Sequence, residues 1–364
     1  MHTRSKRFSS IVLAMSAILL VLSGCSYEPA YMGESAYENV VIIGIDGGGG
    51  LFKDGDAVID DFKDFFSTSD SSIGYEYSCE TPSISAHSER FRHDRFGRDF
   101  TGCPLIEKWD GSTRIVLLGH SFGGATIRLF SELLANGDRE EREACPDDIS
   151  PFFVGGMAGR IHSIVAISSP MNGTTAYDMY DDPSFKPEDV KVPWWTNLFA
   201  KLMSAKLKLE DDEKNPTDSA GFDMHIDNAM AMNNRISTLL GVYYFSIPCS
   251  FTRKCPDGLH RPKKRMEQLF NRQSYRIGAY KGKTKGGVVI DESWRENDGL
   301  VNTISAVAPF GAPSKPLDRA DIRPGIWNVF PKLDGDHMWP QGGLMRKHDT
   351  RGFYLDLVSL ITSI

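Results

Sequence analysis

Five short apolar runs punctuate this chain, each closed by glycine or polar residues. Val40-Val41-Ile42-Ile43 leads into Gly47 to Gly50, and Ile115-Val116-Leu117-Leu118 leads into Gly119. Ile161 to Ile167, Val242 to Ile247 and a shorter Val288 to Ile290 follow. The first two runs are unbroken, which suits strands covered on both faces, as in a parallel sheet, and the other three are further strand candidates. Directly after the second run the period changes. Ile127, Leu129, Phe130, Leu133 and Leu134 share one broad face of a helix. Strands alternating with helical stretches predict an α/β fold, with a mostly parallel central sheet and crossover helices on both faces. At 364 residues the chain is long enough to bury one large core of this kind. It shows no internal repeat.

Two stretches depart from that pattern. Between Asp181 and Asp218 the chain is rich in charge, yet Trp194, Trp195, Leu198, Phe199, Leu202 and Met203 form an apolar stripe at helical spacing. This stripe either packs on the core or serves as a lid over a site. The N-terminus is different again. Arg4, Lys6 and Arg7 precede an apolar run, Ile11 to Leu22, too short for a comfortable membrane span. The run ends in Leu22-Ser23-Gly24-Cys25, which resembles a bacterial lipobox with Cys25 as the acylated residue. The expected organisation is therefore a lipoprotein signal over 1–25, a polar tether over 26–38 and a catalytic domain over 39–364. Insertions are expected at about 79–104 and 176–235. The expected location is outside the cytoplasm, anchored by lipid to the cell envelope or else secreted. Outside the cytosol disulfides persist. Cys249 and Cys255 flank a short polar loop and are a candidate pair, with Cys79 and Cys103 a weaker one.

A formal net charge of −7 gives no electrostatic basis for nucleic-acid binding. The basic run Arg261 to Arg265 reads as a solvated loop.

Gly119-His120-Ser121-Phe122-Gly123 is a G-x-S-x-G pentapeptide set between a predicted strand and a predicted helix. That context is what a nucleophile elbow requires, and it implies an α/β-hydrolase fold with Ser121 as nucleophile. A serine hydroxyl needs a histidine base, and the histidine needs a carboxylate to orient it. In this fold they follow in the order serine, acid, histidine. Of the histidines after Ser121, His162 sits inside a strand and reads as core. His337, in Asp334-Gly335-Asp336-His337, lies in a turn before the last helix and is the candidate base, with His348 as its rival. Asp298, in Glu296-Asn297-Asp298-Gly299, is the candidate acid, and Asp336 the alternative turn residue. Oxyanion donors are expected from the backbone of Phe122 and of Asp46, Gly47 or Gly48, in the loop after the first strand. Losing one such donor typically costs about 100- to 1000-fold in rate.

Several segments resemble the bacterial thermoalkalophilic lipases of the Bacillus, Geobacillus and staphylococcal type. They are Arg95-Phe96-Gly97-Arg98, the elbow with its helix to Gly137, and Glu140-Glu141-Arg142-Glu143. Ser169-Pro170-Met171-Asn172-Gly173-Thr174-Thr175, Glu296 to Thr303 and Gly352-Phe353-Tyr354-Leu355 continue the likeness in order. The resemblance implies a lipid or other ester as substrate, and it assigns the triad acid to Asp298 and the base to His337. It also implies a structural zinc, with His87, His93 and Asp223 as ligands and a fourth ligand unmatched. No cofactor is implied for catalysis. A family calcium site uses acidic residues after the catalytic histidine; here Met338, Trp339 and Pro340 stand there, so that site is expected to be lost. The family's His-Gly-Phe oxyanion loop is replaced by Ile45-Asp46-Gly47-Gly48. A short-chain carboxylesterase or thioesterase, or an idle hydrolase fold that binds without cleaving, are the alternative readings.

Overall fold

The computed structural model describes residues 39–46, 113–144, 146, 151–196, 220–343, 348 and 350–364. Its centre is a six-stranded sheet. The strands are β1 (Asn39–Asp46), β2 (Thr113–His120), β3 (Ile161–Ile167), β4 (Tyr243–Ile247), β5 (Ser314–Pro316) and β6 (Trp327–Val329). Their order across the sheet is β1-β2-β3-β4-β6-β5, and every neighbouring pair is parallel.

Parallel pairing demands crossovers, and helices supply them. Helix α1 (Phe122–Asn136) joins β2 to β3. Helices α2 (Thr175–Asp181) and α3 (Ile226–Asn233) lie between β3 and β4, α4 (Gln268–Ile277) follows β4, and α5 (Arg351–Thr362) ends the chain. Side chains alternate across each strand and so feed two separate cores. Ile115 and Leu117 of β2 pack with Ile127, Phe130 and Leu134 of α1 on one face. Val116 and Leu118 pack with Leu357, Val358 and Ile361 of α5 on the other. Every residue of β3 is buried, as the middle of a doubly covered sheet must be. Each fully buried Leu, Ile or Val contributes about 1.5–3 kcal/mol, so these two layers dominate the stability of the sheet.

Two expectations need correction. Val288 to Ile290 is not a strand of the main sheet: Val289–Ile290 pairs antiparallel with Gly282–Lys283 in a separate hairpin. The reason is visible in its surroundings, since Val289 is exposed and a Gly286-Gly287 turn precedes it. The outer strands are instead β5 and β6, each only three residues long. Cys249 and Cys255 are both free thiols. Cys249 is buried where Cys249–Ser250 pairs with Leu333–Asp334, whereas Cys255 lies partly exposed beyond the strand Thr252–Lys254. Burial pushes the Cys249 thiol well above its ordinary range, so it stays protonated.

The N-terminal segments, the tether, the insertion at about 79–104, and Cys25, Cys79, Cys103 and Cys145 lie outside the described residues. Of the apolar stripe only Trp194 and Trp195 are described, and Trp194 is exposed. The basic run is not wholly a loop: Arg261 lies in the strand His260–Pro262, antiparallel to Thr252–Lys254, and pairs with Asp257, while Lys263 pairs with Asp334.

Candidate active site

The elbow is built from backbone outward. β2 ends at His120 and α1 begins at Phe122, which leaves one residue to make the turn. Ser121 makes it at φ 57, in the left-handed region that costs a non-glycine residue about 1–3 kcal/mol. Two hydrogen bonds hold the strained residue: Ser121 N–H donates to Ile167 O at 2.9 Å, and Gly124 N–H to Ser121 O at 3.1 Å. The first ties the turn to the end of β3. The flanking glycines are required by space. A Cβ on Gly119 would lie 2.4 Å from the Gly123 carbonyl oxygen, and one on Gly124 would lie 2.3 Å from Ser169 Oγ.

The candidate base and acid arrive from two loops far along the chain. His337 Nε2 lies 2.8 Å from Ser121 Oγ. His337 Nδ1 lies 2.8 Å from Asp298 Oδ2. The His337 N–H also donates to the Asp298 carbonyl at 3.0 Å, so the two loops are fastened by backbone as well. All three residues are buried. Asp336 takes the turn role: its carboxylate accepts the N–H of Glu267 at 2.8 Å and of Met338 at 3.2 Å. Phe270 sets its ring edge against the His337 imidazole, centroids 6.0 Å apart.

Asp298 is fully buried, and its carboxylate is satisfied on both oxygens. Oδ1 accepts the N–H of Leu300 at 3.0 Å and of Val301 at 2.8 Å. Oδ2 accepts from His337 and from the Ser168 hydroxyl. Burial alone would raise this carboxyl. The His337 charge, the hydrogen bonds from His337 and Ser168 and the Val301 N–H together outweigh it and hold Asp298 below the usual carboxylate range. Asp298 is therefore an anion facing the imidazole.

Two contributors were not singled out from sequence. Ser168 directly follows β3 at φ 48, a second strained serine, and its hydroxyl is spent on Asp298. His120 occupies the first variable position of the pentapeptide. Its Nδ1 accepts the Gln341 amide at 3.0 Å, which leaves its Nε2–H to donate to the His337 carbonyl at 2.9 Å. The pentapeptide itself pointed to His120; nothing in the Ser168-Ser169-Pro170 run distinguished Ser168 from its neighbour.

The other expected residues fall as follows. Phe122 is the first residue of α1, where helix N–H groups point out along the axis. Asp46 closes β1 in register with His120, which precedes the elbow serine. Gly47 and Gly48 lie outside the described residues. His348 stays away from the hydroxyl; its N–H bonds Gly342 O at 2.8 Å and its ring lies against Trp339. His162 is buried in β3. Asp223 is buried in the short helix Ala220–Met224, while His87 and His93 lie outside the described residues. Among the described residues no group of three or more His, Cys, Asp or Glu side chains could hold a metal.

The family model described as "Lipase-like, C-terminal domain" matches residues 62–186. Lipase 2 of Staphylococcus aureus is 27% identical over 286 residues, which covers 70% of this chain and 39% of that protein. The chain thus spans about two fifths of the length of the curated relatives it matches. Among solved structures, EstA from Clostridium botulinum superposes with a TM-score of 0.65 at 23% identity, covering 92% of this chain and 89% of that one. Staphylococcus hyicus lipase gives a TM-score of 0.51 at 25% identity, covering 68% and 70%. The chain is thus similar in sequence to staphylococcal lipases and shares the α/β-hydrolase fold of the solved bacterial structures it superposes on.

Proposed function

We propose that this protein hydrolyses carboxylic esters, with lipid esters as the substrate class, through Ser121, His337 and Asp298. The unbroken relay from Asp298 to His337 to the Ser121 hydroxyl carries the reading. His337 Nε2 takes the hydroxyl proton as Ser121 Oγ attacks the ester carbonyl. The new C–O bond converts the carbonyl to a tetrahedral oxyanion. The Phe122 N–H and an N–H from the Asp46–Gly48 segment stabilise it. Collapse breaks the ester C–O bond, and His337 returns the proton to the departing alcohol. Water, deprotonated by the same imidazole, then attacks the acyl-serine and releases the acid. Asp298 holds the imidazole with Nδ1–H facing it and stabilises the imidazolium formed in each half.

The test is hydrolysis by the full chain of p-nitrophenyl esters of increasing acyl length and of emulsified triacylglycerol. Turnover that rises with acyl length and persists on emulsion supports a lipase. Turnover confined to short, dissolved esters supports the esterase reading. No turnover of any of them would favour a binding protein and reject ester hydrolysis.

Export is part of the same proposal: acylated Cys25 would hold the enzyme at a membrane, or cleavage would release it. Zinc is proposed as a structural ion only, held by His87, His93 and Asp223. Two imidazoles and a carboxylate suit zinc's tetrahedral preference, and Asp223 presents a buried carboxylate on a helix docked by the Thr174 N–H to Met224 O bond. About one zinc per chain is expected by elemental analysis. Asp223→Ala should lower both that content and Tm, while the ester rate per folded molecule stays near wild type. Metal content unchanged by Asp223→Ala would remove Asp223 from the ligand set.

A further inference from the structure

Arg128 is an outlier among the buried charges. It lies on α1 two turns beyond Ser121, about 10 Å along the helix axis at 1.5 Å per residue. It is 4% exposed. Its guanidinium makes no hydrogen bond or ion pair among the described residues; its nearest electrostatic neighbour is the Tyr244 phenol. Glu132, one turn further on, accepts Asn136 on Oε1 at 2.6 Å and keeps Oε2 buried without a hydrogen bond, but it forms no ion pair with Arg128 among the described residues. Burial lowers the Arg128 guanidinium to about 10, so it remains cationic at neutral pH. A buried cation without an anion is costly, and proteins ordinarily pair it.

Arg128 does not face solid core. It lines a cavity of about 450 Å³, within the range of small-molecule sites. Tyr244 is the second residue of β4 and Trp327 the first of β6, so the cavity sits at the N-terminal edge of the sheet, opposite the edge where Ser121 stands. The charged residues that line it are Arg128 and Arg235, and no carboxylate lines it. Trp327 forms an apolar wall, and Phe310 and Leu240 are exposed apolar residues on the lining.

We propose that this cavity binds a small amphiphilic carboxylate, its head on the Arg128 guanidinium and its apolar body against Trp327, Phe310 and Leu240. Guanidinium presents paired N–H donors that match a carboxylate. The apolar wall selects against small inorganic anions, which gain nothing from it. Fatty acids belong to this class. The site rests on Arg128 and its cavity, not on the triad reading.

The experiment is calorimetric titration of the full chain with sodium octanoate below its micellar concentration. Octanamide and inorganic phosphate serve as controls. A saturable site for octanoate is expected, weakened at least 10-fold by Arg128→Met and less by Arg128→Lys. Leu240→Asp, an exposed change that places a like charge on the lining, should weaken it several-fold and needs no core rearrangement. Octanamide and phosphate should bind at least 10-fold more weakly than octanoate. Any octanoate that occupies the ester-binding site persists in Arg128→Met, and that variant's ester hydrolysis stays within a few-fold of wild type. Octanoate affinity unchanged in both Arg128→Met and Leu240→Asp would overturn the proposal. So would phosphate binding as tightly as octanoate, or no saturable octanoate binding beyond that of the ester site.

Discussion

Ser121→Ala is expected to lower kcat for ester hydrolysis by about a million-fold, the size of loss seen when a triad nucleophile is removed. The fold should survive. The change deletes one hydroxyl and leaves in place the two backbone hydrogen bonds that hold the elbow. His337 keeps its Asp298 contact through the other ring nitrogen. Circular dichroism and Tm should therefore match wild type within experimental scatter while p-nitrophenyl ester turnover falls to the limit of detection. Removing His337 should cost a similar amount and not add to it, because serine and histidine act as one unit. A double variant much slower than either single one would contradict that unity.

Asp298→Asn should lower kcat by about 10,000-fold, and the cause is the direction of one proton. In the wild type, Oδ1 accepts the Leu300 and Val301 N–H groups and Oδ2 faces His337 and Ser168. An asparagine must keep its oxygen toward the two backbone donors, since turning its NH₂ there would set donor against donor. The NH₂ then faces His337 Nδ1, which must become an acceptor. The ring proton moves to Nε2, the nitrogen 2.8 Å from Ser121 Oγ. An imidazole that donates to the nucleophile cannot take its proton. Steady-state kinetics on a soluble ester should show the loss in kcat with KM changed little. A fall in KM-dependent binding with kcat retained would argue that Asp298 shapes the pocket instead.

Much of this site was legible in the sequence. The elbow announces itself because the turn between β2 and α1 tolerates so few residue types that glycines must flank Ser121. β2, β3 and β4 were legible because burial on both faces forces mostly apolar runs. β5 and β6 were not. Ser314-Lys315-Pro316 and Trp327-Asn328-Val329 are three residues each, and Asn328 is buried only because its amide bonds the Tyr244 and Arg323 carbonyls. Periodicity carries no trace of such compensation. Val288 to Ile290 failed in the opposite sense: three apolar residues in a row are as good in a two-residue hairpin as in a sheet. Asp298 and His337 were placed by order along the chain and by resemblance. Ser168 and His120 act by where their donors point, and direction is a property of the folded backbone. Ser168 reaches Asp298 because residue 168 is held at positive φ, with its N–H on Ile247 O.

The most direct measurement is mass-spectrometric mapping of the adduct formed by a fluorophosphonate probe on the full chain. One phosphonyl group on the peptide that contains Ser121, lost entirely in Ser121→Ala and formed far more slowly in His337→Ala, is the expected result. An adduct on another residue, or undiminished labelling of Ser121→Ala, would mean that the activated hydroxyl lies elsewhere and that Ser121 is not the nucleophile.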